Sequence, residues 1–292
     1  MASSALTEEQ IRHILQGIRI PPQPQILVDL QMEQAMPDVD INQVAKLIRQ
    51  DVSLSGMMLK FVNSPFMGLK NKITSIEQAV SLLGADTVIN IVNGLTIKGE
   101  MSDDTIQTMT RFWDTATDIA LVSATIAKQI GAKNPDEAYA IGLFHNAGIP
   151  LMMTRFPNYG DILRESYAAP SPRVIDVENR HLNTNHAVVG YYTAKSWNLP
   201  PHICSVIAEH HNAAQIYAQK DGKQQEQKTL LAILKIAEHI CGNFRILGEQ
   251  EEDLEWEAIE RDVLEYTGLS TYDVEQMAQN FRDMGIAVYC NY

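Results

Sequence analysis

The residues of this chain best suited to chemistry are four histidines: His145, within Leu143-Phe144-His145-Asn146-Ala147-Gly148-Ile149, then His186, then the adjacent pair His210 and His211. Neutral imidazoles suit borderline transition metals such as zinc or nickel, with water completing the shell, whereas magnesium demands oxygen donors. On helical spacing His210 follows Val206 and Ile207, which turns it toward an apolar face. His186 shares a face with Val189, Gly190 and Thr193, and a glycine at 190 lets a second helix approach closely. Asn146 beside His145 offers a neutral amide oxygen, so it adds no charge to a cation site. A single half-buried histidine is ordinarily a packed side chain with one hydrogen bond, so a metal reading requires several to converge.

The elements that must position these side chains are helical. Asp40 caps a helix with Ile41, Val44, Ala45 and Ile48 on one face, and Leu54, Met57, Met58 and Phe61 repeat the pattern. Thr74-Ser75-Ile76-Glu77 reads as a capping box, Gly84 as the stop, and a further helix follows from Asp86 to about Lys98. Asn134-Pro135-Asp136-Glu137 combines a capping Asn, a first-position proline and acids at the positive end of the dipole. It predicts a helix carrying His145-Asn146 toward Phe156, with a kink at Gly148 or Pro150. Further helices are expected over Val174–Arg180, Thr184–Trp197, Pro201–His211 and Thr229–Cys241. The polar stretch from Asn212 to Thr229 reads as an exposed loop. The acidic stretch Glu249–Glu265 reads as a solvated helix with Leu254, Ala258, Val263 and Leu264 on its apolar stripe.

Composition narrows the function classes. The chain has 292 residues, 45% of them hydrophobic, which is ample for a buried core. A formal charge of −13 opposes non-specific attraction to nucleic acid or anionic lipid. Lys60, Lys70, Lys72 and Lys98 are adequately explained as solvated helix faces. Cys204, Cys241 and Cys290 lie far apart and form neither a disulfide framework nor a zinc knuckle. The N-terminus shows no signal-peptide pattern and no apolar run approaches a membrane span, so a cytoplasmic location is expected. No GxSxG elbow, Walker loop, GxGxxG turn or HExxH helix is present.

The segment Leu143–Ile149 resembles the LLHDIGK core of HD-domain phosphohydrolases, whose His and Asp bind metal and whose Lys commonly assists at phosphate. A longer ordered series resembles the HDOD family, named for its HD-related output domain. It comprises Ile20–Pro24, Val44–Asp51, Phe61–Phe66, Lys72–Val80, Leu82–Gly84, Phe112-Trp113, Ala138–Gly148, Asn185–Gly190, Trp197–Pro200 and Glu209–His211.

The resemblance implies a ligand set of His145, His186, His210, His211 and Glu238, with Thr115, Asn146 and Ile149 where active relatives place His, Asp and Lys. It implies an all-α fold in which an N-terminal helical subdomain (1–100) packs on an HD-like bundle (101–248), followed by a C-terminal helical extension (249–292). The expected function is a bacterial signalling or regulatory module, non-catalytic and acting through contacts with signalling proteins, without nucleic-acid or membrane partners. No cofactor is required on this reading, although a residual zinc or nickel ion fits the imidazoles. The alternative is a divergent metal-dependent phosphohydrolase acting on a nucleotide or other phosphate ester.

Overall fold

Local capping chemistry places the early helices. Asp40 Oδ1 accepts the Asn42 N–H at 2.9 Å, and the α-helix behind it buries Val44, Ala45, Leu47 and Ile48. Asn63 ends a later helix by exchanging both amide bonds with the Ile73 backbone, at 2.7 Å each. The computed structural model describes residues 8–18, 20, 25–50, 52–63, 67–99, 110–168, 173–219 and 225–286. Pro21–Pro24, Ser64-Pro65-Phe66, Cys290 and the side chains of Met57, Lys60, Lys98 and Trp113, all used above, lie outside the described residues.

The elements are α1 (Glu8–Ile14), α2 (Gln25–Gln34), α3 (Ile41–Arg49), α4 (Val52–Val62), α5 (Ile76–Leu83) and α6 (Ala85–Gly99). There follow α7 (Thr110–Gln129), α8 (Pro135–Phe144), α9 (Gly148–Arg155), α10 (Tyr159–Ala168), α11 (Ile175–Leu182) and α12 (His186–Ser196). The last are α13 (Pro201–Glu209), α14 (Ala213–Ala218), α15 (Gln225–Cys241), α16 (Asn243–Gly248), α17 (Leu254–Thr267) and α18 (Thr271–Asp283). Among the described residues there is no strand, and no helix is long and apolar enough to cross a membrane. The fold is all-α, as expected.

The early helices α2 to α6 pack on one another, and α6 meets α8. Around α8 gather α7, α13 and α15, while α9 crosses α12 and α17 covers α15. Gly142 permits the close α7–α8 contact, because a Cβ there would approach the Ala120 backbone to 2.6 Å.

Several expectations need correction. The N-cap before α5 is Ser75 rather than Thr74, and Ser75 Oγ also donates to Glu77, so the reciprocal box is not formed. Asn134 makes no side-chain cap, although Pro135 does open α8. The supposed loop after Asn212 contains α14, whose Ala213 and Ile216 are buried, and α15 begins at Gln225. On α17 the buried stripe is Trp256, Ile259, Val263 and Leu264, while Leu254 and Ala258 face solvent. Trp256 and Ile259 bring more apolar surface to that face than the exposed pair would have.

Candidate metal centre

The helix expected to carry His145-Asn146 through to Phe156 is broken. α8 ends at Phe144, residues 145–147 form a turn, and α9 restarts at Gly148. Pro150 has no N–H with which to continue the ladder, and the Asn146 carbonyl instead accepts from the Ile149 N–H at 2.9 Å. The turn is pinned from outside by the crossing of α9 and α12. A Cβ on Gly148 would collide with the His186 carbonyl oxygen, and one on Gly190 would lie 3.1 Å from Ile207 Cγ2. Gly190 therefore does permit close helix approach, and Gly148 is its partner.

Each imidazole is held through Nδ1. His145 Nδ1 lies 2.8 Å from the Gly142 carbonyl, His210 Nδ1 2.7 Å from the Ile207 carbonyl, and His211 Nδ1 2.7 Å from Glu255 Oε1. His186 Nδ1 meets both oxygens of Glu178 at 2.8 and 2.9 Å, and its backbone N–H donates to the same carboxylate. Tyr159 donates a fourth bond to Glu178 at 2.6 Å. An acceptor at every Nδ1 places a proton there, and in a neutral ring that leaves a lone pair on Nε2.

Three of those lone pairs converge. His186 Nε2 lies 3.0 Å from His211 Nε2 and 3.4 Å from His210 Nε2, and the three residues offer ligand atoms within 4.8 Å of one another. Lone pairs facing each other without a proton between them repel, and a shared cation relieves that repulsion. Burial, the charge of Lys235 and the neighbouring imidazoles hold His210 and His211 well below the usual histidine range. They are neutral near pH 7, the state a metal ligand needs. The donor set fits zinc or nickel.

An acidic end adjoins the imidazoles. Glu238 on α15 places Oε1 3.2 Å from His145 Nε2 and accepts from Asn243 Nδ2 at 2.9 Å. Its Oε2 lies 2.8 Å from Lys235 Nζ, which also donates to Glu255 Oε2 at 3.0 Å. Burial disfavours charge on Lys235, but Glu238 and Glu255 outweigh it and raise its pKa. Burial likewise opposes ionisation of Glu238, but Lys235 and His145 prevail and hold its carboxyl well below the usual range. Glu255 is raised, by burial first and by Glu238 next. His145 Nε2, Asn146 Oδ1 and Glu238 Oε2 are buried without an aligned hydrogen bond among the described residues.

The five residues of the expected ligand set thus come together, with His186, His210 and His211 forming the tight group and His145 paired to Glu238 beside it. Thr115 and Ile149 are buried, and Ile149 brings no charge. Sequence reasoning missed Glu178, Lys235 and Glu255. The signal for Lys235 and Glu238 was a charged i,i+3 pair on an otherwise apolar helix face.

The chain matches the HDOD domain over residues 20–213. It is 29% identical over 196 residues to an uncharacterised protein of Treponema pallidum, covering 66% of this chain and 38% of that relative. The chain therefore spans well under half the length of that relative. A solved protein of Shewanella amazonensis, provisionally named a metal-dependent phosphohydrolase, superposes with a TM-score of 0.65 at 17% identity, covering 94% of this chain and 95% of the other. One from Marinobacter aquaeolei, provisionally named a signal transduction protein, gives 0.64 at 19% identity, covering 94% and 59%. At these identities the likeness establishes the fold.

Proposed function

Since the chain belongs to the HDOD family, we propose that it is a bacterial, cytoplasmic signalling module that acts through protein contacts and does not turn over a substrate. The observation that carries this reading is closure. His186, His210 and His211 are at most 2% exposed, and the nearby cavity of about 10 Å³, lined by Lys235, Glu238 and Glu255 rather than by those imidazoles, has room for about one water molecule. A hydrolase must leave a position at its metal open to water and substrate. Asn146 and Ile149 add to the argument, because they replace a carboxylate and a phosphate-assisting lysine with uncharged groups. The imidazoles would hold a zinc or nickel ion as a staple between α12 and the turn after α13. A metal there would supply Lewis acidity only if water and substrate could reach it. Partners in this reading are signalling proteins rather than nucleic acid or membrane. The organisation we propose is 1–100, 101–248 and 249–292, with the middle segment holding the imidazoles and the last supplying Glu255.

The convergence of three Nε2 atoms favours the competing reading, a metal-dependent phosphohydrolase of nucleotides or other phosphate esters. Single-turnover hydrolysis, with enzyme in excess and zinc, nickel or manganese supplied, separates the two. No useful turnover is expected. Metal-dependent turnover that disappears in the His145→Ala, His210→Ala double variant would install the hydrolase reading instead. In parallel, Asn146→Asp should raise divalent-metal affinity in calorimetric titration, because it returns an anionic oxygen beside His145. Unchanged affinity for all three metals would mean that Asn146 stands apart from the cation position.

A further inference from the structure

The three converging imidazoles have outer partners of unequal charge. His210 Nδ1 faces a neutral peptide carbonyl, that of Ile207. His211 Nδ1 faces Glu255, whose other oxygen accepts from the Lys235 ammonium at 3.0 Å. His186 Nδ1 faces both oxygens of Glu178, and among the described residues no lysine or arginine pairs with that carboxylate. We infer that Glu178 is the positioning residue that makes His186 the strongest metal donor of the three, with the Tyr159 hydroxyl tempering it. The inference rests on the reading of these imidazoles as a zinc or nickel site.

The local fold delivers this carboxylate. α11 buries Glu178 together with Ile175 and Val177, and Asn183 closes the helix in the left-handed region at φ 53°. The chain then reverses, and Asn185 caps α12 by accepting the Val188 N–H at 2.9 Å. That reversal sets the first N–H of α12, on His186, 2.9 Å from Glu178 Oε2. The carboxylate thus lies at the positive end of the α12 dipole as well as behind the ring. Tyr159, fully buried on α10, donates to Oε1 at 2.6 Å.

A carboxylate that accepts from Nδ1–H draws the proton toward itself, so electron density rises at Nε2 and that nitrogen holds a cation more tightly. A carboxylate whose charge is shared with an ammonium does this less, and a peptide carbonyl least. The gradient favours the central atom of the group, because His186 Nε2 is the one that lies 3.0 Å from His211 Nε2 and 3.4 Å from His210 Nε2. Burying a carboxylate without a cation is costly, and a divalent ion on the far side of the ring supplies the missing positive charge. Tyr159 acts in the opposite sense, since a further donor stabilises the carboxylate's charge and weakens its pull on Nδ1–H.

The test uses the full chain as wild type, Glu178→Gln, Glu255→Gln and Tyr159→Phe, with zinc alone titrated in competition with a chromophoric chelator and metal-free stability measured in urea. Glu178→Gln keeps the shape of the side chain and removes its charge, so zinc affinity should fall about 10–100-fold. Glu255→Gln should cost less. Tyr159→Phe should bind zinc more tightly than wild type even though it loses a buried hydrogen bond and unfolds at lower urea. A packing role alone would lower affinity and stability together in both Glu178→Gln and Tyr159→Phe, so the opposite sign separates positioning from packing. Wild-type affinity in Glu178→Gln, an equal loss in Glu255→Gln, or unchanged or weaker binding in Tyr159→Phe overturns the inference. If Glu178→Gln does not fold, the sign in Tyr159→Phe decides. A wild type that binds no zinc defeats the metal reading and this inference together, whereas a wild type that binds zinc beside variants out of the expected order defeats the inference alone.

Discussion

The N-terminal helices and the core between α8 and α17 are built on opposite principles. Before residue 100, Thr87 is the one buried polar or charged side chain among the described residues, and the interior is Leu27, Leu30, Val44, Ile48, Met58 and similar groups. Beyond residue 140 the interior holds His145, Asn146, Glu178, His186, His210, His211, Lys235 and Glu238. Apolar burial stabilises roughly in proportion to area, whereas buried charges recover their desolvation cost only when every partner is in place. The first region draws almost entirely on apolar burial. The second retains groups that stability alone does not favour, which marks it as the place where a ligand or a fixed geometry is required.

That contrast can be broken by three substitutions. Glu178→Ala should have the largest effect, about 3–5 kcal/mol, because it strands the His186 backbone N–H, His186 Nδ1 and the Tyr159 hydroxyl together. Urea unfolding measures it, and a cost near 1 kcal/mol would mean that the polar core is loosely coupled. Gly148→Ala should cost about 1–3 kcal/mol or more, since the new Cβ meets the His186 carbonyl and cannot swing away. The companion readout is metal affinity, which should fall as the turn shifts; a neutral result on both counts would show that the crossing tolerates separation. Asp40→Ala, in the apolar region, should cost about 1 kcal/mol through loss of the α3 cap and leave metal binding unchanged. A metal effect from this distant cap would tie the two regions together and weaken the comparison.

Legibility in the sequence followed the same divide. Period and caps are local signals, so α3, α6, α12 and α13 and the stop at Gly84 could be read directly. The break after Phe144 could not be placed, because His145-Asn146-Ala147 contains neither glycine nor proline and only Gly148 and Pro150, beyond the turn, hint at it. α14 escaped notice because two apolar residues, Ala213 and Ile216, make too weak a period. The histidines were visible through their resemblance to the family positions. Glu178 and Glu255 were not, since each sits in the first turn of a helix where an acid is already explained by the dipole. Only tertiary packing turns those two inward.

The reach of α17 into the polar core has a consequence for how the chain is divided. The family match stops at residue 213, yet His211 leans on Glu255, and Glu238 and Lys235 also lie past that limit. Cutting there would strip one imidazole of its orienting carboxylate and open a face that is sealed in the intact protein. What evolution transmits as a recognisable segment and what folds as a cooperative whole are, in this molecule, two different lengths of polypeptide.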